Sequence, residues 1–293
     1  MPGCVSVTER RLRRWRRGVA VALPLVLSAC VGASRAQPPA APRTIVSLNP
    51  CADAILAEVA DPGQLLAISH YSADPRASSR SAATARRFRT TRGTVEEVVA
   101  LHPDLVIDGS FVAAATAGAY ARLGLRLETV GTVASVAEAR AQVLHLAALA
   151  GHPERGAALV ARIDAALAAA APPPGAPPIP AVMAEPGGMV PGDATLVAEL
   201  MRRTGFANFS AARGFGQGAV LPLERLLADP PAVVLIAGDD GHDDADRMLA
   251  HPALAALRGV HRARFAANLL YCGGPTVIRA AQRLAAVRHE LAR

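Results

Sequence analysis

Short apolar runs alternate with helical stretches along most of this chain, and that alternation leaves few folds open. TIVSL (residues 44–48), LLAIS (65–69), DLVID (104–108) and LRLETV (125–130) read as strands. Between them ADAILAEVA (52–60), TVEEVVAL (94–101) and AAATAGAYARLG (113–124) read as helices, with HYSADPRASSRSAATARRF (70–88) a polar, irregular excursion. Strands that are apolar on both faces and separated by helices belong to a parallel sheet with helices on each side. From about residue 135 to 171 the rhythm gives way to helix formers, broken only at Gly151-His152-Pro153. The second helical piece alone would span ~30 Å at 1.5 Å per residue. PPPGAPPIP stops it, and alternation resumes: AVMAE (181–185) as strand, ATLVAELMRRTG (194–205) and LPLERLLA (221–228) as helices, AVVLIAG (232–238) as strand, HPALAALRGV (251–260) as helix, NLLYC (268–272) as strand and a final helix from Thr276. The expected fold class is α/β, with two doubly wound parallel-sheet lobes joined by one long rigid helix.

A weak internal echo supports two similar lobes. VEEVVALHPDLVI (95–107) aligns without gaps on LERLLADPPAVVL (223–235), and ADAILAEV (52–59) echoes DATLVAEL (193–200). The expected boundaries are a signal peptide over 1–29, a flexible tether over 30–42, an N-terminal lobe over 43–134, a connecting helical segment over 135–171 and a C-terminal lobe over 178–293.

The first 29 residues combine an Arg-rich start with GVAVALPLVLSA, a run too short to span a bilayer well. It ends in Leu27-Ser28-Ala29-Cys30, which resembles the lipobox of bacterial lipoproteins and marks Cys30 for lipidation. Cleavage after Ala36 is the rival reading, and the doubled arginines leave Sec and Tat export both open. Export also changes what the charge means. Removing Arg10, Arg11, Arg13, Arg14, Arg16, Arg17 and Glu9 from the 31 basic and 24 acidic residues leaves a surplus of only two, which argues against a nucleic-acid partner.

With Cys4 and Cys30 assigned to the signal and anchor, Cys51 and Cys272 remain, in an oxidising compartment. Cys51 lies in the first turn of a helix, where exposed N–H groups favour thiolate. It is a candidate nucleophile, half of a disulfide with Cys272, or a small residue lining a pocket. A bond across a cleft would obstruct a ligand, so lining is the expectation for both.

In open α/β sheets, ligands bind beyond the carboxyl ends of the strands. That rule selects Asn49-Pro50-Cys51, His70–Asp74 and Asp108–Phe111 in the first lobe, and Glu185–Met189, Gly238–His242 and Tyr271–Pro275 in the second. The acidic run AGDDGHDDAD (237–246) could supply oxygen ligands and one imidazole to a metal, or be a solvated loop. A thiol enzyme would need Cys51 or Cys272 beside a base, and His70 is the only histidine on a neighbouring loop. No nucleophile elbow, HExxH or phosphate loop is present.

Arg43–Pro50, then SHYSADP, then TVEEVVALHPDLVI, then the long helix, resemble the substrate-binding proteins of ABC importers for vitamin B12 and iron siderophores, the class III periplasmic binding proteins. The resemblance runs from about Arg43 to the C-terminus. It implies a shallow cleft between two α/β lobes and a small closure. It implies a metal chelate, siderophore or corrinoid as ligand, an ABC permease dimer as partner, a monomeric protein in the periplasm on a lipid anchor, no cofactor, no resident metal and no catalytic step. Family members carry one exposed glutamate per lobe for permease docking, and Glu96 and Glu224 match those positions. Glu97 instead completes a capping box with Thr94. The candidate ligand-binding residues are Asn49, Cys51, His70, Tyr71, Phe111, Met189, Phe215, Tyr271 and Cys272; of these Tyr71 matches a ligand-contacting tyrosine of the vitamin B12 binders, and Phe215 and Tyr271 fall near other aromatic positions there. Aromatics make up 3% of the chain, and several positions that are aromatic in the vitamin B12 binders hold Gly, Ala or Met here. An anionic chelate would call for arginine, with Arg76, Arg213 and Arg279 the candidates. A binder of free zinc or manganese ions is the alternative reading.

Overall fold

Alternate residues of the central strands point into different cores, and this period of two organises the molecule. The structure, a computed structural model, describes residues 43–74, Ser78, 86–238 and 251–292. The expected signal peptide and tether, Cys30, Arg76, His242 and most of the acidic run lie outside the described residues.

The N-terminal lobe holds five parallel strands: β1 (Ile45–Ser47), β2 (Leu65–Ser69), β3 (Thr90–Thr91), β4 (Leu105–Gly109) and β5 (Leu127–Val130), in the order β3-β2-β1-β4-β5. Its helices are α1 (Pro50–Val59), α2 (Val95–Val99) and α3 (Ala114–Arg122). Ile45, Leu105 and Ile107 face one core with α1, while Val46 and Val106 face the other with Val98 of α2 and Tyr120 of α3. Each apolar side chain buried this way is worth roughly 1.5–3 kcal/mol.

Two helices follow, α4 (Val136–Leu149) and α5 (Pro153–Ala170), broken where Gly151 adopts φ 84° and Pro153 opens the second. They pack against each other, and α5 is the long helix that leads into the C-terminal lobe. That lobe has parallel strands β6 (Ile179–Ala184), β8 (Phe206–Asn208), β10 (Val233–Ala237) and β11 (His261–Phe265), in the order β11-β10-β6-β8. A short antiparallel pair, β7 (Met189–Pro191) and β9 (Gly218–Val220), stands apart from it. The helices are α6 (Leu196–Arg203), α7 (Leu223–Ala228), α8 (Pro252–Ala255) and α9 (Pro275–Leu291).

The inner faces of both sheets share one continuous core. Ile45 and Ile107 of the first lobe, Met183 and Leu235 of the second, and residues of α1, α4, α5, α6 and α9 all belong to it. Arg155 on α5 donates to the Val59 carbonyl at 3.0 Å, and Val136 N–H donates to Glu199 of α6 at 2.8 Å. Opening the lobes widely would expose this shared core, so the architecture resists hinge motion.

Two local expectations need correction. NLLYC is not a strand: residues Ala267–Leu269 form a 3-10 turn, and the last strand is His261–Phe265. HRARF alternates exposed Arg262 and Arg264 with buried Ala263 and Phe265, the pattern of an edge strand, whereas Leu269 and Leu270 are apolar because the turn itself is buried. The capping box at Thr94 is also incomplete. Thr94 Oγ1 accepts from Glu97 N–H at 3.3 Å, but the Glu97 carboxylate takes Thr91 Oγ1–H at 2.6 Å and Arg92 N–H at 2.7 Å instead of reaching back to Thr94. The turn at Gly93, φ 82°, brings those donors closer.

Candidate functional site

Strand order reverses between β1 and β4 in one lobe and between β6 and β10 in the other, and both reversals leave crevices at the carboxyl ends. At the first, Asn49 caps α1: its Oδ1 accepts from Cys51 N–H at 2.9 Å and Ala52 N–H at 3.1 Å. Asn49, Cys51 and Phe111 line a small cavity of about 50 Å³ there. At the second, Glu185, Met189, Gln217 and Tyr271 help to line a cavity of about 270 Å³. Thr132, Val133 and Tyr271 belong to both walls, so the two form one shallow cleft between the lobes.

The wall is apolar and uncovered. Phe111 is 89% exposed, Tyr271 59% and Met189 43%, in a protein whose other large apolar side chains are mostly buried. Tyr271 Oη–H donates to Glu185 Oε2 at 2.6 Å. Burial, then the Glu185 carboxylate, push the phenol well above its ordinary range, so Tyr271 remains a neutral donor. Asp108, at the end of β4, is pushed up by burial and pulled back in part by Gly109 N–H.

Cys51 and Cys272 are bonded to each other, with Cα atoms 5.1 Å apart. The expectation that both are free lining residues is therefore corrected. Cys51 still touches the small cavity, but Cys272 is 7% exposed and lines neither cavity, while its neighbours Tyr271 and Gly273 reach the cleft. The bond joins the first turn of α1 to the segment just before α9, and neither cysteine lines the larger cavity, so it leaves that cavity open. Gly273 and Gly274 permit this: a Cβ on Gly273 would lie 2.9 Å from Ala139 Cβ, and one on Gly274 2.5 Å from Ile55 Cγ1. Neither sulfur is available as a nucleophile while the bond is intact.

Other expected residues separate. His70 and Tyr71 lie on the 3-10 turn after β2, exposed, with ring centroids 4.0 Å apart, at the carboxyl end of the sheet but outside both cavities. Phe215 is half-buried against the outer core of the second lobe, with Val190 and Phe209, and does not line the cleft. Arg213 is committed elsewhere: it pairs with Asp229, donates to the Phe209 carbonyl at 3.1 Å and stacks over the Phe209 ring. Arg279 lies exposed on α9, outside the cavities. The carboxyl-end rule selected the loop that begins at Glu185, but sequence reasoning missed Gln217 and the Thr132–Val133 segment as site residues. The carboxyl-end rule, extended to β5, would have reached Thr132, but the three-residue strands β7 and β9 that bring in Gln217 carry too little pattern to recognise. Among the described residues no group of three or more His, Cys, Asp or Glu side chains could hold a metal ion.

No curated protein sequence matches the chain. Several solved structures share its fold. The periplasmic heme-binding protein HutB of Vibrio cholerae superposes with a TM-score of 0.68 at 18% identity, covering 84% of this chain and 99% of that one. The apo periplasmic heme-binding protein RhuT from Roseiflexus sp. RS-1 gives 0.66 at 19% identity, over 86% and 100%. The periplasmic vitamin B12 binding protein BtuF of Vibrio cholerae gives 0.63 at 18% identity, over 86% and 98%. The sequence pattern of the periplasmic binding proteins matches residues 45–266, which span both lobes, both reversal points and most of the cleft wall. The chain belongs to the periplasmic binding protein family.

Proposed function

We propose that this protein is the extracytoplasmic receptor of an ABC importer, capturing a metal chelate such as a siderophore complex or corrinoid and delivering it to the permease. The observation that carries this reading is the uncovered apolar wall of Phe111, Met189 and Tyr271 at the strand-order reversals of two lobes. Large apolar side chains left open in a crevice serve a ligand with broad faces. The names of HutB, RhuT and BtuF, which bind heme or vitamin B12, favour the same class of ligand.

Docking falls to Glu96 and Glu224. Each is the second residue of the helix before a central strand, α2 before β4 and α7 before β10, and each is exposed. Two carboxylates on separate lobes would meet arginines on the two permease subunits and set orientation as well as affinity. Cys30 would carry the lipid, with residues 31–42 as tether, holding a monomer at the membrane.

The test is a thermal-shift screen of the purified protein against ferric siderophores, heme and cobalamins. A ligand at 100 times its dissociation constant stabilises by about 2.7 kcal/mol, a clear upward shift. No shift with any chelate, together with a shift from zinc or manganese ions alone, would replace this reading with that of a free-ion binder.

A further inference from the structure

The described wall of the cleft carries charge of one sign. Among the described residues that line its two cavities, Glu185 is the single ionisable acid and no arginine or histidine is present. The rest of the polar lining is neutral: Asn49, Ser110, Thr132, Gln142, Thr195, Gln217 and the Tyr271 phenol. Glu185 is half-buried at the carboxyl end of β6, where its backbone N–H donates to the Met189 carbonyl at 2.8 Å and fixes the residue at the cavity edge. One carboxylate oxygen, Oε2, takes the Tyr271 hydroxyl, and Oε1 has no hydrogen-bond partner among the described residues. Among the described residues that line the cavities, no cation is present to neutralise that oxygen.

We infer that Glu185 sets the charge selectivity of the cleft: it admits neutral or cationic chelates whose rims present N–H donors, and it rejects chelates with anionic rims. This rests on the chelate-binding reading above and narrows it. A carboxylate on the ligand brought beside Glu185 would be repelled in a partly desolvated site, and the cost of such an unpaired like charge is a specificity device. An amide or ammonium group on the ligand would instead find Oε1 as an acceptor, in a charge-assisted bond. Tyr271 holds the carboxylate in place and, being a neutral phenol, adds no countercharge of its own.

The test is calorimetric titration of the full protein with a panel that varies rim charge: ferrioxamine B (cationic), ferrichrome and cyanocobalamin (neutral), and heme and ferric enterobactin (anionic). At least one neutral or cationic chelate should bind about tenfold or more tightly than both anionic ones. Glu185→Gln should shrink that ratio, and Glu185→Arg should reverse it. Tyr271→Phe should weaken binding of the preferred chelate while keeping the ratio, since the carboxylate remains; thermal unfolding of each variant checks that it is folded. Heme or ferric enterobactin binding as tightly as the best neutral probe, or a ratio unmoved by Glu185→Gln, overturns the inference and leaves the chelate-binding reading standing. Binding of none of the panel overturns both.

Discussion

Cys51 and Cys272 are separated by 221 residues in sequence and joined by a disulfide with Cα atoms 5.1 Å apart, one at the start of α1 in the first lobe and the other just before α9 in the second. The bond ties the two lobes at the base of the cleft, beside a core they already share. It also anchors Tyr271, which with Thr132 and Val133 is common to both cavities.

Closing so long a loop removes much chain entropy from the unfolded state, about 5 kcal/mol in the chain-entropy picture and more often about 2–4 kcal/mol in practice. The Cys51→Ser/Cys272→Ser variant should lose stability in that range, measured by denaturant unfolding. A non-reducing peptide map should link the two cysteine-containing peptides, and iodoacetamide should label neither residue before reduction. Rapid labelling of both in the oxidised protein would contradict the bond.

Gly274 sits at φ 64°, where a Cβ would lie 2.5 Å from Ile55 Cγ1. Gly274→Ala therefore meets both backbone strain and overpacking, and should cost about 1–3 kcal/mol. Gly63→Ala is the control: its φ is 85°, but nothing lies within 4 Å of the added carbon, so it should cost less. Equal losses in thermal unfolding would show that packing against Ile55 contributes nothing.

Glu199 links the lobes through Val136 N–H at 2.8 Å and also accepts from Arg203 Nε at 2.7 Å. Burial pushes its carboxyl up, but these bonds and the nearby arginines outweigh it and hold the group below the ordinary carboxylate range. A depressed folded value means the stabilisation is fully present above the unfolded value and is lost as pH falls through the folded one. Glu199→Gln should cost about 1 kcal/mol at neutral pH. Its deficit against the unmodified protein should fade as acid protonates the native carboxylate. A deficit independent of pH would show that the ionised form contributes nothing.

Replacing both Glu96 and Glu224 with Ala should abolish uptake in cells while leaving chelate affinity unchanged, because neither side chain lines the cleft. Each single variant should give an intermediate rate. Weakened ligand binding in the double variant would move these residues from docking to capture.

Much of the fold was legible in local pattern. The alternation of Ile45 with Val46, and of Leu105 and Ile107 with Val106, is a period-two signal for a strand buried on both faces. Asn49 before Pro50 marks the start of α1, and Gly151-His152-Pro153 marks the break before α5. The echo between residues 95–107 and 223–235 identified two equivalent helix–strand units, α2-β4 and α7-β10, and so paired Glu96 with Glu224. The rule that ligands bind at carboxyl strand ends then selected the loops of Asn49, Phe111, Met189 and Tyr271, all of which reach the cleft.

Sequence by itself thus determined most of the longer elements, the two-lobe plan and the end of each sheet that faces the cleft, because these follow from periodicities and caps within a dozen residues. Tertiary structure alone decided the rest. NLLYC has the composition of a strand, yet its burial comes from a turn packed against α9 within the shared core, a contact the run does not encode. Phe215 went to the outer core while Gln217, two residues on, went to the cleft, because the chain bends at Gly216-Gln217 before β9 begins at Gly218. The bond between Cys51 and Cys272 and the pairing of Glu185 with Tyr271 depend on groups 221 and 86 residues apart. Only the packing of α1, α4 and α9 into one core brings the first pair within reach, and only the folding of the second lobe brings the other.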